Sequence, residues 1–148
     1  MSRVKIDPIA IGLPEKFLFS ISIPVRITDL NYGGHVGNDA VLSIIHEARM
    51  QFLKHFGYTE MEFAGVGMIM SDVAIEFKNE LFYGDMVIAS VAAGEFTNVS
   101  FEIFYRLEKN MDDKKVLVAI AKTGMVCYDY GKKKIVAVPK EAKKKLTD

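Results

Sequence analysis

Hydrophobic and polar residues alternate strictly from Phe19 to Thr28, which predicts a strand with one buried face. Pro24 lies within this run and has no backbone N–H to donate, so we expect the strand at an edge or a bulge. Four later segments also have the pattern of strands, at 68–78, 85–93, 99–108 and 116–128. Short turns separate these four segments, which predicts that consecutive ones form hairpins. The last segment is apolar on both faces as far as Ala121, which predicts a central, covered strand.

Between the first strand and the second, apolar residues recur at spacings of three and four, which predicts one long amphipathic helix. These residues are Val41, Ile44, Ile45, Ala48, Phe52 and Phe56. Asn38 or Asp39 is the expected N-cap, and Gly57 is the expected terminator. One strand, one helix and four antiparallel strands form an α+β protein, in which the helix can bury its apolar stripe only against the sheet. The sequence therefore predicts a sheet that curves around one helix.

The composition excludes several classes of protein. The chain has 148 residues with 19 Lys+Arg and 19 Asp+Glu, so its zero formal charge gives no overall attraction to nucleic acid. Its one cysteine, Cys127, cannot form an intramolecular disulfide, which favours a cytoplasmic location. No apolar run is long enough for insertion into a membrane. We expect residues 1–148 to form one domain with its core at about 17–139 and a Lys-rich tail at 140–148.

Candidate chemistry is concentrated in residues 29–39, next to the predicted start of the helix. Glycines let a ligand approach the backbone, and unpaired N–H groups at a helix start can donate to an oxyanion. His35 can act as a general base or a donor, and Asp29 and Asp39 can each supply a carboxylate. The same residue types are also typical of a turn followed by a helix N-cap, so both interpretations stay open.

The run from Arg26 to Arg49, which ends in Ile45-His46-Glu47-Ala48-Arg49, resembles the 4-hydroxybenzoyl-CoA thioesterase branch of the hotdog-fold superfamily. That branch typically has an acidic residue, a Gly-His-Val-Asn-Asn-like turn and Glu-Ala-Arg on the helix. Residues 83–87 and 98–101 also resemble its glycine-aspartate turn and the polar turn before its fourth strand. The order of elements agrees from about Phe17 to Pro139. The resemblance implies the hotdog fold, an antiparallel curved sheet of five to six strands around one long central helix.

The resemblance also implies an activity, the hydrolysis of an acyl-CoA thioester to a free acid and CoA. It implies no metal and no organic cofactor, and a homodimer or homotetramer whose sites lie between subunits. In this family the helix N-terminus polarises the thioester carbonyl, and a carboxylate either attacks it or activates water. The chain departs from the pattern at Asn31, four residues before His35, where many members carry the catalytic aspartate.

Our hypothesis for the catalytic residues places water activation at Asp39, or alternatively at Asp29. His35 and Asn31 would orient the water or the carbonyl. The substrate-binding residues would be Gly34, Val36, Gly37 and Asn38, with backbone N–H groups near 36–38 as the oxyanion site.

Two other functions remain open. Asn31 is neutral, which favours a protein that binds an acyl thioester or a related ligand without hydrolysing it. A hydratase of the same fold is a third possibility, because Asp29 and His35 have a similar separation to its catalytic pair, although Glu-Ala-Arg fits the thioesterase branch better.

Some residues have two interpretations each. Glu47 is expected to pair with an arginine of its own subunit or a partner, and Cys127 is expected to be a structural thiol. His46 and His55 are nine residues apart and do not share a helix face, which argues against a metal site. An acyl pocket and the ordinary core are the two interpretations of the apolar residues after the helix, which are Met61, Phe63, Met68 and Met70. Attraction of CoA phosphates and a solvated surface are the two interpretations of the lysines near the end of the chain. These are Lys132, Lys133, Lys134, Lys140, Lys143, Lys144 and Lys145.

Overall fold

The structure is a computed structural model that describes residues 11–147. Its elements are β1 (Phe19–Pro24), a short 3-10 turn (Ile27–Asp29), α1 (Asn38–His55), β2 (Gly67–Phe77), β3 (Met86–Gly94), β4 (Ser100–Met111), β5 (Lys114–Asp129), β6 (Lys134–Ile135) and α2 (Lys140–Thr147). The strands form one antiparallel sheet in the order β1-β3-β4-β5-β2, and β6 pairs with the end of β5. The predicted α+β class and the long helix after the first strand are confirmed.

The core lies between α1 and the sheet. The helix buries one stripe against β1 and β3, and the predicted stripe is confirmed at Val41, Ile44, Ile45, Ala48 and Phe52. Phe52 packs edge-to-face on Phe19 of β1, with ring centroids 5.6 Å apart. The alternation predicted for β4 is also confirmed, because Phe101, Ile103, Tyr105 and Leu107 are all buried. Central placement of β5 is confirmed as well, since it lies between β4 and β2.

The start of α1 is where it was predicted, but the predicted cap was wrong. Gly37 is the N-cap, with extended backbone angles and no side-chain cap, and Asn38 is the first helical residue. Asp39 therefore lies in the first turn, where a carboxylate interacts favourably with the positive end of the helix dipole. Gly57 follows the helix with φ of +85°, which confirms its predicted role as terminator.

The first strand is shorter than predicted. It ends at Pro24 rather than Thr28, and Ile27, assigned to its buried face, is 66% exposed in the 3-10 turn. The chain leaves the sheet there because Pro24 cannot donate and Asp29 accepts the Arg26 N–H at 2.8 Å, which closes the turn. The prediction that Pro24 marks an edge strand is confirmed, since within residues 11–147 β1 pairs only with β3.

The prediction that all four later strands pair in sequence order was wrong for the first of them. β3, β4 and β5 are joined as hairpins, but β2 pairs with β5 at the opposite edge of the sheet and not with β3. Both edges of β3 are already occupied, by β1 and by β4. The chain between β2 and β3 therefore crosses the sheet, and this crossing segment becomes important for the site.

The Lys-rich end of the chain contains an ordered element. α2 buries Ala142 and Leu146 against the core while its lysines face outward. Among residues 11–147, no helix is long and apolar enough to cross a membrane.

We predict that Phe52→Ala lowers the free energy of unfolding by about 3–5 kcal/mol, because it leaves a cavity between α1 and β1. Urea denaturation measures this loss. The control is Leu18→Ala, at a side chain that is 82% exposed, which we expect to change stability by less than about 0.5 kcal/mol. Equal effects of the two substitutions would contradict the packing described here.

Candidate active site

Residues 30–37, which we call the site loop, form a small hairpin before α1. Leu30 pairs with Val36, and the Asn31 N–H donates to the His35 carbonyl at 2.9 Å. The turn between them closes through the Gly34 N–H, which donates to the Asn31 carbonyl at 3.1 Å. Gly34 has φ of +80°, a conformation that glycine adopts without strain. The loop therefore has a defined backbone shape.

The crossing segment between β2 and β3 anchors the site loop. The Val36 N–H donates to the Leu81 carbonyl at 2.9 Å, and His35 pairs with Phe82 as an antiparallel bridge. Leu81 is itself 2% exposed and belongs to the core. The position of His35 is thus fixed relative to the sheet and not only relative to its own loop.

Three of the four predicted catalytic residues meet at two glycines. A Cβ atom built on Gly33 would lie 3.2 Å from Asn31 Oδ1 and 3.5 Å from His35 Nε2. One built on Gly37 would lie 2.6 Å from Asp39 Oδ1 and 3.8 Å from Asn31 Nδ2. Asn31 is therefore the shared neighbour, with the imidazole approaching one glycine and the carboxylate the other.

The side chains of this cluster differ in how far they are already engaged. Asn31 Oδ1 accepts the Gly33 N–H at 2.8 Å, which leaves the amide Nδ2 as its donor. The exposed Asp39 carboxylate has no hydrogen-bond or ion-pair partner among the described residues. His35 Nδ1 lies 3.4 Å from the Val36 carbonyl, and its ring is half-buried. The cluster thus combines a free carboxylate, an imidazole and an amide at the start of a helix.

Asp29, the fourth predicted catalytic residue, has a different environment. It is 5% exposed, and its carboxylate accepts the Arg26 N–H at 2.8 Å and the Arg26 guanidinium at 3.3 Å. These contacts favour the turn-forming role that the sequence left open.

Backbone N–H groups near 36–38 were predicted as an oxyanion site, and in the structure these groups differ in whether they already have an acceptor. The Val36 N–H is bound to Leu81, and the Gly37 N–H points to the Asp29 carbonyl at 3.4 Å. The Asn38 N–H has no acceptor among the described residues. The donors that a carbonyl oxygen could use are therefore in the first turn of α1, whose N–H groups have no partner within the helix.

The structure explains the arginine of the Glu-Ala-Arg sequence in α1. Arg49 is buried, donates from Nε to Glu60 at 2.8 Å and from Nη1 to the Tyr105 hydroxyl at 3.2 Å. Burial opposes the charge of Arg49, but Tyr105 and Glu60 outweigh this effect and raise the pKa of Arg49. Tyr105 is also hydrogen-bonded to Thr123 at 2.8 Å, so the network joins α1 to β4 and β5.

Glu47 has no arginine partner among the described residues of its own subunit. Its carboxylate accepts the Gln51 amide at 3.1 Å on the exposed side of α1. Both side chains line an open groove of about 250 Å³ between β1 and α1, and this groove reaches Arg26 and Asp29 near the site loop.

The structure also shows where the other side chains lie for which the sequence left two interpretations. Phe63 and Met68 belong to the core, whereas Met61 and Met70 are 65% and 40% exposed. Cys127 is fully buried, as expected for a structural thiol.

The two helix histidines have separate surroundings. His46 Nε2 lies 3.3 Å from Glu60 Oε1, whereas the His55 ring packs against Phe19 and Phe56.

The lysines of α2 lie at the other end of the central helix from the site loop. Lys145 lies over the Tyr58 ring, just beyond the end of α1, at 5.1 Å. The 18 residues of α1 are about 27 Å long at the usual rise per residue. Within one chain, these lysines are therefore remote from the site loop.

Sequence reasoning missed two residues that shape the site region, Arg26 and Lys109. Arg26 holds Asp29, and its position three residues earlier was the available signal. Lys109 is 3% exposed and contacts Asp85 at 3.0 Å. The inward alternation of β4 continues from Leu107 to Lys109, so the pattern placed a lysine on the buried face.

Known proteins are similar to this chain in sequence and in fold. Residues 25–146 match the thioesterase-like superfamily. The chain is 25% identical over 128 residues to the acyl-CoA thioesterase YbgC of Haemophilus influenzae, covering 84% of this chain and 91% of that one.

Solved structures show the shared fold. A thioesterase superfamily protein from Jannaschia sp. CCS1 aligns with a TM-score of 0.79 and 18% identity, over 93% of this chain and 86% of that one. An aspartate-to-asparagine mutant of 4-hydroxybenzoyl CoA thioesterase, complexed with 4-hydroxybenzoyl CoA, also aligns with a TM-score of 0.79, at 15% identity over 87% of this chain and 98% of that one. The hotdog fold expected from the sequence is thereby confirmed.

Burial raises the pKa of the Cys127 thiol from 9.0 to about 11, so we predict that the native protein resists alkylation by iodoacetamide at pH 8. Protein unfolded in urea should react at the ordinary rate, as mass spectrometry would show. Because the folded pKa is the higher one, the stability linked to this thiol is complete below about pH 9 and is lost as the pH rises through about 11. Equal labelling of native and unfolded protein would contradict the prediction.

Proposed function

The chain belongs to the thioesterase-like superfamily, and from this premise we propose that it hydrolyses an acyl-CoA thioester to a free acid and CoA at the start of α1. The observation that carries the proposal is the meeting of Asn31, His35 and Asp39 at two glycines, beside the first turn of the helix. The named acyl-CoA thioesterase among its relatives supports CoA as the carrier.

In the proposed mechanism, Asp39 acts as a general base towards water. The water oxygen bonds to the thioester carbonyl carbon while its proton passes to the carboxylate. The carbonyl oxygen becomes an oxyanion, which the N–H groups of the first helical turn stabilise. The carbon–sulfur bond then breaks, and the CoA thiolate takes up the proton.

Asn31 and His35 are proposed to orient the reacting groups. Asn31 cannot take a proton, but its Nδ2 can donate to the water or to the carbonyl oxygen. His35 lies on the other side of Asn31 and is held by its backbone pairing with Phe82. Gly33 and Gly37 make room for the side chains of the cluster, whereas Gly34 has open space beside it through which the thioester can approach the backbone.

Asp29 is the alternative base, but its contacts with Arg26 disfavour this role. The carboxylate would have to leave two donors before it could accept a proton from water. Because Asp39, His35 and Asn31 supply a complete set of groups for water activation, we propose that the reaction uses no metal and no organic cofactor.

A second candidate function is binding of an acyl thioester without hydrolysis. Asn31 favours it, because an amide stands where many family members have a catalytic aspartate. The structural neighbour in which one aspartate is replaced by asparagine is complexed with 4-hydroxybenzoyl CoA, so that substitution is compatible with thioester binding there.

We predict that the purified protein releases free thiol from at least one member of a panel of short, medium, long and aromatic acyl-CoAs. Asp39→Asn should lower kcat by about 100-fold to 10,000-fold, because it removes the proposed base without changing the size of the side chain. His35→Ala should also lower kcat. Colorimetric detection of the thiol, at saturating acyl-CoA, measures each rate.

The matched control is Glu141→Gln, which removes one exposed carboxylate from α2 and should leave kcat unchanged. Full activity of Asp39→Asn would transfer the base role to Asp29 or Glu47. Tight binding of an acyl-CoA with no thiol release would instead select the binding protein.

We also propose that the chain forms a homo-oligomer through β2, and that it functions in the cytoplasm, where its single cysteine stays reduced. The outer edge of β2 has no partner strand among the described residues, and unpaired strand edges favour association. Large apolar side chains are exposed along this strand, at Ile69, Met70, Val73 and Phe77.

We predict that the protein elutes as a dimer or tetramer in size-exclusion chromatography with light scattering. Ile69→Glu should shift it towards monomer, because it places a charge in the proposed interface. Ile135→Glu is the control, since Ile135 is also exposed but lies on β6. A monomeric wild-type protein, or dissociation by both substitutions alike, would count against an interface at β2.

A further inference from the structure

Lys109 is a buried lysine near the end of β4, on the buried face of the strand. Its side chain is 4% exposed, although removing an ammonium group from water costs several kcal/mol unless its hydrogen bonds are replaced. The proposed mechanism does not use this residue. The contacts of Lys109 must therefore explain why it is buried.

Among the described residues, every polar contact of the Lys109 ammonium lies on the chain that crosses from β2 to β3. Nζ donates to the Glu80 carbonyl at 2.8 Å and to Asp85 Oδ2 at 3.0 Å. The same Asp85 oxygen accepts the Phe82 N–H at 2.8 Å. The Phe82 ring centroid also lies 5.2 Å from Nζ, within the range of a cation–π contact. Lys109 thus fixes both ends of the segment 80–85.

This segment is the one that anchors the site loop. Leu81 accepts the Val36 N–H, and Phe82 pairs with His35. Lys109 therefore contacts residues on both sides of the two that hold the loop. Displacement of segment 80–85 would move His35 and the start of α1 together.

We propose that Lys109 is a positioning residue, which holds His35 and the first turn of α1 in the geometry for thioester hydrolysis. This inference rests on the proposed function. Lys109 lies on β4, far from the site loop in sequence, and acts through the backbone of segment 80–85. Displacements of about 1 Å at a reacting group can cost about 100-fold in rate, so a remote residue of this kind has a measurable effect.

The test compares Lys109→Met with Lys122→Met. Methionine keeps most of the length of the lysine side chain and removes its charge. Lys122 forms an ion pair with Glu102 at 3.4 Å between β5 and β4 and has no ion pair or hydrogen bond with segment 80–85 among the described residues, so its substitution controls for the loss of a paired lysine. Each variant is assayed well below its melting temperature, by thiol release and by amide hydrogen exchange.

For Lys109→Met we expect kcat to fall by about 10-fold to 100-fold while KM changes by less than about threefold. Exchange at the amides of Val36 and Phe82 should accelerate more than exchange at core amides such as that of Ala119. Lys109→Arg, which keeps the charge and the donors, should recover part of kcat. Lys122→Met should leave kcat and the exchange of Val36 unchanged.

A uniform acceleration of exchange at all amides, with kcat unchanged, would overturn the proposal and leave Lys109 a general stabilising residue. Equal losses of kcat in the two methionine variants would also overturn it. If the wild-type protein hydrolyses no thioester, the proposed function fails. The exchange data still decide whether Lys109 holds the site loop.

Discussion

The hydrogen bond from the Val36 N–H to the Leu81 carbonyl joins the site loop to the sheet, and the site depends on it. Gly37 caps α1 immediately after this bond, so the helix begins at a position that the sheet determines. Burial of the apolar stripe of α1 against β1 and β3 then fixes the direction of the helix. Together these contacts set where the N–H groups of the first turn point.

Buried charges specify this arrangement at three places. Asp29 closes the turn after β1, Arg49 joins α1 to β4 and β5, and Lys109 holds segment 80–85. Buried ion pairs contribute little net stability compared with well-packed apolar residues, but a charge with fixed donors and acceptors tolerates few alternative positions. Asp39 and the other groups of the proposed site lie on elements that these contacts hold in place.

Much of the fold followed from periodicity. The strict alternation of β4 and the stripe of α1 identify these elements because each buried face repeats at the period of its backbone. The pairing of β2 with β5 did not follow, since adjacent strands in sequence usually pair and nothing in residues 68–78 identifies a distant partner. The end of β1 at Pro24 was visible only as an edge signal.

The sequence by itself determined which residues could carry the chemistry, because residues 29–39 combine three glycines, two asparagines, two aspartates and a histidine beside the start of the long helix. The tertiary structure alone decided which of these residues lie close together. It brings Asn31, His35 and Asp39 to two glycines, and it binds Asp29 to Arg26. Lys109 gained a role in the same way, through contacts with residues far away along the chain. The physical reason is that hydrogen bonds depend on distances in space, which residue types and local spacing do not encode.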